Sequence, residues 1–254
     1  MNKLPTAYFV SHNGLGDNIT NIGAVNFLLQ YYETMHFLCK DIHKKNVECL
    51  FENKPVVIVP FNSNNEVNEI TRILNNVSAD IFASGMHKQY IQNRITHPDL
   101  LSYKQNDKNY NIEFSHIRDF YYDIGLDLSI YYDLFDIKST DISKKYYEEL
   151  KDYKIIFIHS KASNREVKYD DVYEKYKNNN EYIMICANKN MYDDKGHPFY
   201  EIADKYVNIY IAWYIDIIKH AELLYMIDSC FSCIVYPLMI TNRIPKDKVH
   251  LHLR

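Results

Sequence analysis

Ala7-Tyr8-Phe9-Val10-Ser11-His12-Asn13-Gly14-Leu15-Gly16-Asp17-Asn18-Ile19 runs from a β-rich segment through a glycine turn into the start of a helix. Short apolar runs alternating with helical segments imply βαβ units, and so parallel sheets with helices on their faces. Outward from this stretch, residues 34–38, 55–59 and 80–83 read as further strands, and 18–32, 42–51 and 66–76 as helices. The run Pro55-Val56-Val57-Ile58-Val59 is apolar enough for a strand buried on both faces. In 66–76, Val67, Ile70, Ile73 and Leu74 share one side. Residues 86–109 read as a surface excursion containing the turn-forming Asn106-Asp107-Lys108-Asn109. Residues 111–124 then read as a helix stopped by Gly125.

The alternation restarts near residue 150, after the polar, helix-prone stretch 139–152. Tyr153-Lys154-Ile155-Ile156-Phe157-Ile158-His159 is the strongest strand of the chain. Segments 182–186, 207–210, 223–227 and 249–253 follow as strands, and a helix at 214–221 precedes the fourth of the five. The expected architecture is α/β: two Rossmann-like domains, residues 1–138 and 139–254, with parallel sheets facing an interdomain cleft.

At 254 residues, 47% hydrophobic and 24% charged, the chain can bury two compact cores. A net charge of −4 speaks against a general nucleic-acid binder. Cys230 and Cys233 make the one C-x-x-C, and Cys39, Cys49 and Cys186 supply no second pair at zinc-site spacing. Reduced, mostly buried thiols in a cytoplasmic protein are the expectation. The first residues lack a signal-peptide pattern, and no run of about 18 apolar residues marks a transmembrane helix.

Three segments carry chemistry. The loop His12-Asn13-Gly14-Leu15-Gly16-Asp17-Asn18 lies at a strand end, where open parallel sheets bind ligands. Gly14 and Gly16 would let the backbone turn tightly. Ile19 stands where a dinucleotide fingerprint needs its third glycine, and no Gly-Lys-Ser/Thr follows for a P-loop. What remains is a turn presenting Asp17, which equally fits a helix cap. The second segment, Asp228-Ser229-Cys230-Phe231-Ser232, runs from an apolar strand into an apolar helix. Its hydroxyls and free amides suit a diphosphate, or a simple capped helix. The third, His159-Ser160-Lys161-Ala162-Ser163-Asn164-Arg165, places hydroxyls and two cations after the strongest strand, as an anion site or a solvated loop would. Trp213 and Tyr214 fit either a nucleobase platform or packing between helix and sheet. His12 and His159, both at strand ends, fit structural roles as well as catalytic ones.

Gly14-Leu15-Gly16-Asp17-Asn18-Ile19 resembles the N-terminal glycine–aspartate loop of the lipopolysaccharide heptosyltransferases (glycosyltransferase family 9). Met226-Ile227-Asp228-Ser229-Cys230-Phe231-Ser232 is similar to their C-terminal donor segment, and 155–165 to the strand and loop that help hold the donor phosphates. The resemblance implies a GT-B fold and an inverting, metal-independent sugar transfer needing no cofactor. The donor would be a nucleotide diphosphate sugar and the acceptor a glycan or other hydroxyl compound. By resemblance, Asp17 would deprotonate the acceptor on a loop of His12, Asn13, Gly14, Gly16 and Asn18. Ser229, Cys230 and Phe231 would offer amides to the diphosphate, with Asp228 fixing the turn, Ser160 would join the donor-binding residues, and Lys161 or Arg165 would neutralise the leaving group. Cys230 departs from the family's glycine, and the resemblance does not extend to a heptose donor. A non-catalytic GT-B-like binding protein is the alternative, and an epimerase or hydrolase on the same fold is a third reading.

Overall fold

The computed structural model describes residues 2–12, 14–105 and 115–252. The chain divides into two compact units, Met1–Ile137 and Lys138–Arg254. In the first, the elements are β1 (Leu4–Val10), α1 (Leu15–Thr20), α2 (Ile22–Leu28), β2 (Tyr32–Lys40), α3 (Lys44–Leu50), β3 (Val56–Phe61), α4 (Glu66–Leu74), β4 (Asp80–Ala83), α5 (Pro98–Leu101), α6 (Ser115–Asp123) and α7 (Leu128–Asp133). The sheet order is β3-β2-β1-β4, all parallel, with Tyr8 opposite His36 and Ile81 in the central register. Parallel pairing sends β1, β2 and β4 to one carboxyl edge, from which residues 11–18, 40–43 and 84–88 depart.

Segment 55–59 is not buried on both faces, contrary to its composition. β3 is the edge strand, and Val57 there is 47% exposed. Its inward face joins Val10, Leu38, Phe61, Ile70, Leu74, Ile81 and Ala83 in one core cluster. Within α4, Ile70 and Leu74 are buried while Val67 points out. The stretch 86–105 is more than a surface excursion. His87, His97 and Leu100 are buried, and Arg94 closes an antiparallel bridge with Ile81. The Asn106–Asn109 turn and residues 111–114 of the expected helix lie outside the described residues.

The helix expected over 18–32 is broken at Asn21. The Tyr121 hydroxyl enters the break, accepting from the Ala24 amide (3.1 Å) and donating to the Thr20 carbonyl (2.9 Å). It thus replaces one step of the i→i−4 ladder. A tyrosine about a hundred residues away supplies that insertion, so local periodicity could not show it.

Asp80 heads β4 at 2% exposure. Burial alone would raise its carboxyl. Hydrogen bonds from the Tyr32 hydroxyl (2.6 Å), the Thr96 amide (2.9 Å) and hydroxyl (2.8 Å), and the His97 amide hold it below the ordinary carboxylate value. A group depressed on folding gives stability that is complete above its unfolded pKa and lost as pH falls through its folded one. The chain is therefore expected to lose stability as pH drops below about 4. Asp80→Asn should lower stability at pH 7 and flatten this acid limb, as read by urea unfolding across pH. An unchanged acid limb would show that Asp80 does not set it.

The second unit contains α8 (Asp141–Glu148), β5 (Lys154–His159), a hairpin of β6 (Lys161–Ala162) and β7 (Arg165–Glu166), α9 (Asp170–Tyr176), β8 (Tyr182–Cys186), α10 (Tyr200–Asp204), α11 (Ile215–His220), β9 (Leu223–Ile227), α12 (Ser232–Ile240) and β10 (Val249–His252). Its main sheet is β10-β9-β5-β8, again parallel, with β5 central and Ile155–His159 buried. Thr140 caps α8 reciprocally with Ser143. Asp216 of α11 accepts from the Ser139 and Ser143 hydroxyls, both at 2.5 Å, which ties α8 to α11.

Segment 207–210 does not form the expected strand. The Tyr192 hydroxyl oxygen accepts from the Met184 amide of β8 (3.0 Å), occupying the outer edge that a further strand would pair with. Asn208 turns away in the left-handed region (φ 58°), held by its amide to the Ala187 carbonyl (2.8 Å). No helix is long and apolar enough to cross a membrane among the described residues.

Candidate functional site

The loop after β1 carries Asp17 in the first turn of α1, half-buried. Its Oδ2 accepts from the Gly14 amide at 2.7 Å, the reciprocal half of a capping box. Gly14 itself is extended (φ −92°, ψ 162°) and neither Gly14 nor Gly16 has a positive φ, so the glycines do not serve a left-handed turn. A Cβ on Gly14 would lie 3.0 Å from Asp17 Oδ2. Glycine is there to let the carboxylate close onto the backbone. Buried Asn18 donates to the Gly14 carbonyl (2.8 Å), and Thr20 donates to that of Gly16 (3.0 Å), fixing the loop from below. Asn13 lies outside the described residues.

His12 accepts at Nδ1 from the Met86 amide (2.8 Å), and its ring rests on Phe120 (5.3 Å). Gly85, at φ +70°, makes this approach possible, because a Cβ there would meet His12 Nδ1 at 2.4 Å. Nδ1 is thus an acceptor, and His12 is a fixture of the edge. Beneath the loop, Asn21 donates to Ser11 Oγ (3.1 Å) and to the Asp17 carbonyl (2.9 Å), and accepts from Ser84 (3.4 Å). This buried polar tie, with no periodic signature, was not legible in the sequence.

The same edge carries charge in pairs. Lys40 bonds Glu66, Lys88 bonds Asp123 (2.9 Å), and Lys44 and Lys45 lie at 3.6 and 3.8 Å from Glu48. His43, which precedes α3, is held below the usual imidazole value by burial and Lys40, against an opposing pull from Asp17 and Asp41. Buried His87 is pushed down to about 4 by burial, although Glu66 lies 3.7 Å from Nε2. Both rings are neutral at pH 7. No group of three or more His, Cys, Asp or Glu side chains is placed to hold a metal ion among the described residues.

In the second unit, Ser229 and His159 come together at the carboxyl edge, with Ser229 Oγ 2.8 Å from His159 Nδ1. The Ser229 amide donates to Ser232 Oγ (2.9 Å), and that hydroxyl lies 3.4 Å from Asp228 Oδ1. The turn is closed by Ser232, whose hydroxyl donates to the Ser229 carbonyl at 2.6 Å, with Asp228 farther off. The amides of Cys230 and Phe231 lie against the Cys230 sulfur, and burial pushes this thiol up to about 11. A protonated thiol is a weak acceptor.

Ser160 is buried, with its amide (3.0 Å) and hydroxyl (3.2 Å) meeting Asn188 Oδ1. It links the ends of β5 and β8, and Asn188, two residues beyond β8, was missed by the sequence reading. Lys161 is exposed on β6 and Arg165 half-buried on β7, across a hairpin pairing Ala162 with Arg165. Tyr214 is core: its hydroxyl bonds the Tyr206 carbonyl and its ring packs on Phe157 and Phe231. Trp213 packs on Tyr210 and Tyr146. These contacts match the packing alternative for both residues.

No protein-family model and no curated protein matches the chain. Solved structures do match it over nearly its whole length. A glycosyl transferase family 9 structure from Veillonella parvula is 11% identical, covering 99% of this chain and 86% of that one, at a TM-score of 0.54. E. coli ADP-heptose lps heptosyltransferase II is 7% identical, with 97% and 89% covered and a TM-score of 0.53. E. coli heptosyltransferase WaaC, solved with ADP-2-deoxy-2-fluoro heptose, is 10% identical, with 98% and 92% covered and a TM-score of 0.52. The chain has the α/β GT-B fold of these proteins.

Proposed function

We propose that this chain is a glycosyltransferase that moves a sugar from a nucleotide diphosphate donor to a hydroxyl acceptor, inverting the anomeric carbon without a metal ion. Fold does not by itself imply function, so the reading rests on the site. The observation that carries it is Asp17: a half-buried carboxylate at the carboxyl edge of the first sheet, aimed by one oxygen bonded to Gly14. Oδ1 is the oxygen assigned to the acceptor proton. Deprotonation makes the hydroxyl nucleophilic as the bond to the diphosphate breaks. The leaving charge is assigned to the second unit: the Cys230 and Phe231 amides, the Ser229 hydroxyl, and Lys161 with Arg165.

The lysines at the Asp17 edge each lie within 4.0 Å of a carboxylate. That pairing favours an uncharged glycan hydroxyl over a phosphorylated acceptor. The test is an incubation of the chain with pooled nucleotide sugars and matched neutral and phosphorylated oligosaccharides, in a chelator. Nucleoside diphosphate release together with an elongated neutral product is the expected result. Release without elongation would instead identify a hydrolase, and an isomerised nucleotide sugar without net release an epimerase.

One observation favours the non-catalytic alternative. Ser229 already spends its amide on Ser232, and the Cys230 sulfur occupies the face of the next two amides. Under that reading nucleotide binds without turnover for any donor.

A further inference from the structure

We propose that His159 is the positioning residue of the donor turn, holding the Ser229 hydroxyl and the first turn of α12 in the geometry that meets the diphosphate. The inference rests on the transferase reading of that turn. His159 is the last residue of β5, in register with Met226 of β9, so its side chain leaves the sheet beside the strand that leads into Ser229. Two contacts then fix the turn. Nδ1 reaches Ser229 Oγ at 2.8 Å, and the ring lies against Phe231, with centroids 4.6 Å apart. Phe231 is the residue that precedes α12, and it is also packed on Phe157 (5.2 Å) and Tyr214 (5.3 Å). The imidazole thus clamps both the hydroxyl and the aromatic anchor of one five-residue turn.

The chemistry suits a holder better than a reacting group. The ring is 7% exposed, and burial drives its pKa down to about 4, so it is neutral at pH 7. A neutral imidazole carrying its proton on Nδ1 donates to Ser229 Oγ and leaves the serine proton free for a phosphate oxygen. The other tautomer consumes that proton. Donor binding would select the first arrangement. The ring need never touch substrate, because its effect passes through Ser229.

That distinction sets the experiment. The probe is whichever of ADP, UDP, GDP or CDP raises the melting temperature of the wild-type chain most. Its Kd is measured by calorimetry for wild type, His159→Leu, His159→Asn, Ser229→Ala and the His159→Leu/Ser229→Ala double variant. His159→Leu should weaken binding about five- to tenfold, the loss of one neutral hydrogen bond. His159→Asn, which keeps a polar atom near Oγ, should recover most of it. Ser229→Ala should cost a similar factor, and adding His159→Leu to it should cost little more, because both act on one bond. Full multiplication of the two effects, or equal losses for Asn and Leu, overturns the inference while leaving the transferase reading in place. A wild-type chain that none of the four nucleotides stabilises overturns both. Melting temperatures of the unliganded variants separate a folding defect from a binding one.

Discussion

Asp17→Asn is expected to slow sugar transfer by about 10²- to 10⁴-fold, the usual worth of a positioned general base, while nucleoside diphosphate affinity stays within about twofold. Asn is the informative replacement because its amide oxygen can still accept from the Gly14 amide, as Asp17 Oδ2 does at 2.7 Å. The loop should therefore keep its shape and lose only the proton acceptor. Asp17→Ala removes the cap as well, adding a stability loss of about 1 kcal/mol. Comparing the two by transfer rate and melting temperature separates chemistry from folding. If Asp17→Asn transfers sugar at the wild-type rate, the base is another group, and the first-unit assignment fails.

Gly23→Ala should be strongly destabilising, at about 3 kcal/mol or more. Two effects oppose each other. Alanine is the better helix former in α2, by about 1 kcal/mol. The added Cβ, however, would meet the Ile130 carbonyl oxygen at 2.7 Å, the Tyr121 hydroxyl at 2.8 Å and the Tyr131 Cα at 3.1 Å. Two of these are backbone atoms of α7, and the third is the hydroxyl that bridges Thr20 and Ala24. None can yield without moving α7 or opening the bridge, so the clash wins. Gly125→Ala is the contrasting case. Its φ of +75° is strained for alanine, yet nothing lies within 4 Å of the new Cβ. Its cost should stay at about 1–2 kcal/mol. Urea unfolding followed by far-UV circular dichroism ranks the two, and a Gly23→Ala midpoint equal to wild type would contradict the packing described for α2 and α7.

How much of this was legible in the sequence depended on whether the signal was local. The strands at 80–83, 182–186 and 223–227 show in the sequence because buried parallel strands are short, continuous apolar runs bounded by polar turns. Short helices such as α7 and α9 passed unread, because six or seven residues give too few turns for a face to show. The break at Asn21 and the missing strand at 207–210 each depend on a tyrosine hydroxyl arriving from elsewhere: Tyr121 in one case, Tyr192 in the other. Composition cannot disclose that.

The site divides the same way. Asp17, Ser229 and the strand ends that carry them could be named, because a polar residue at the end of an apolar strand is a local pattern. The role of Gly14 could not be read correctly, since glycine's usual service is a positive φ and here it is clearance for a carboxylate. Asn188 and the His159–Ser229 bond are pairings between distant segments, visible only once β5 has β8 on one side and β9 on the other.

Sugar transfer by this chain stands or falls on where a nucleotide's phosphates sit. A crystal structure of the full chain soaked with the stabilising nucleoside diphosphate measures this directly. The expected result is a diphosphate on the Cys230 and Phe231 amides, bonded to the Ser229 hydroxyl, with Lys161 or Arg165 turned toward it. A nucleotide bound instead at the His12–Asn18 loop, or no ordered nucleotide at saturating concentration, would contradict it.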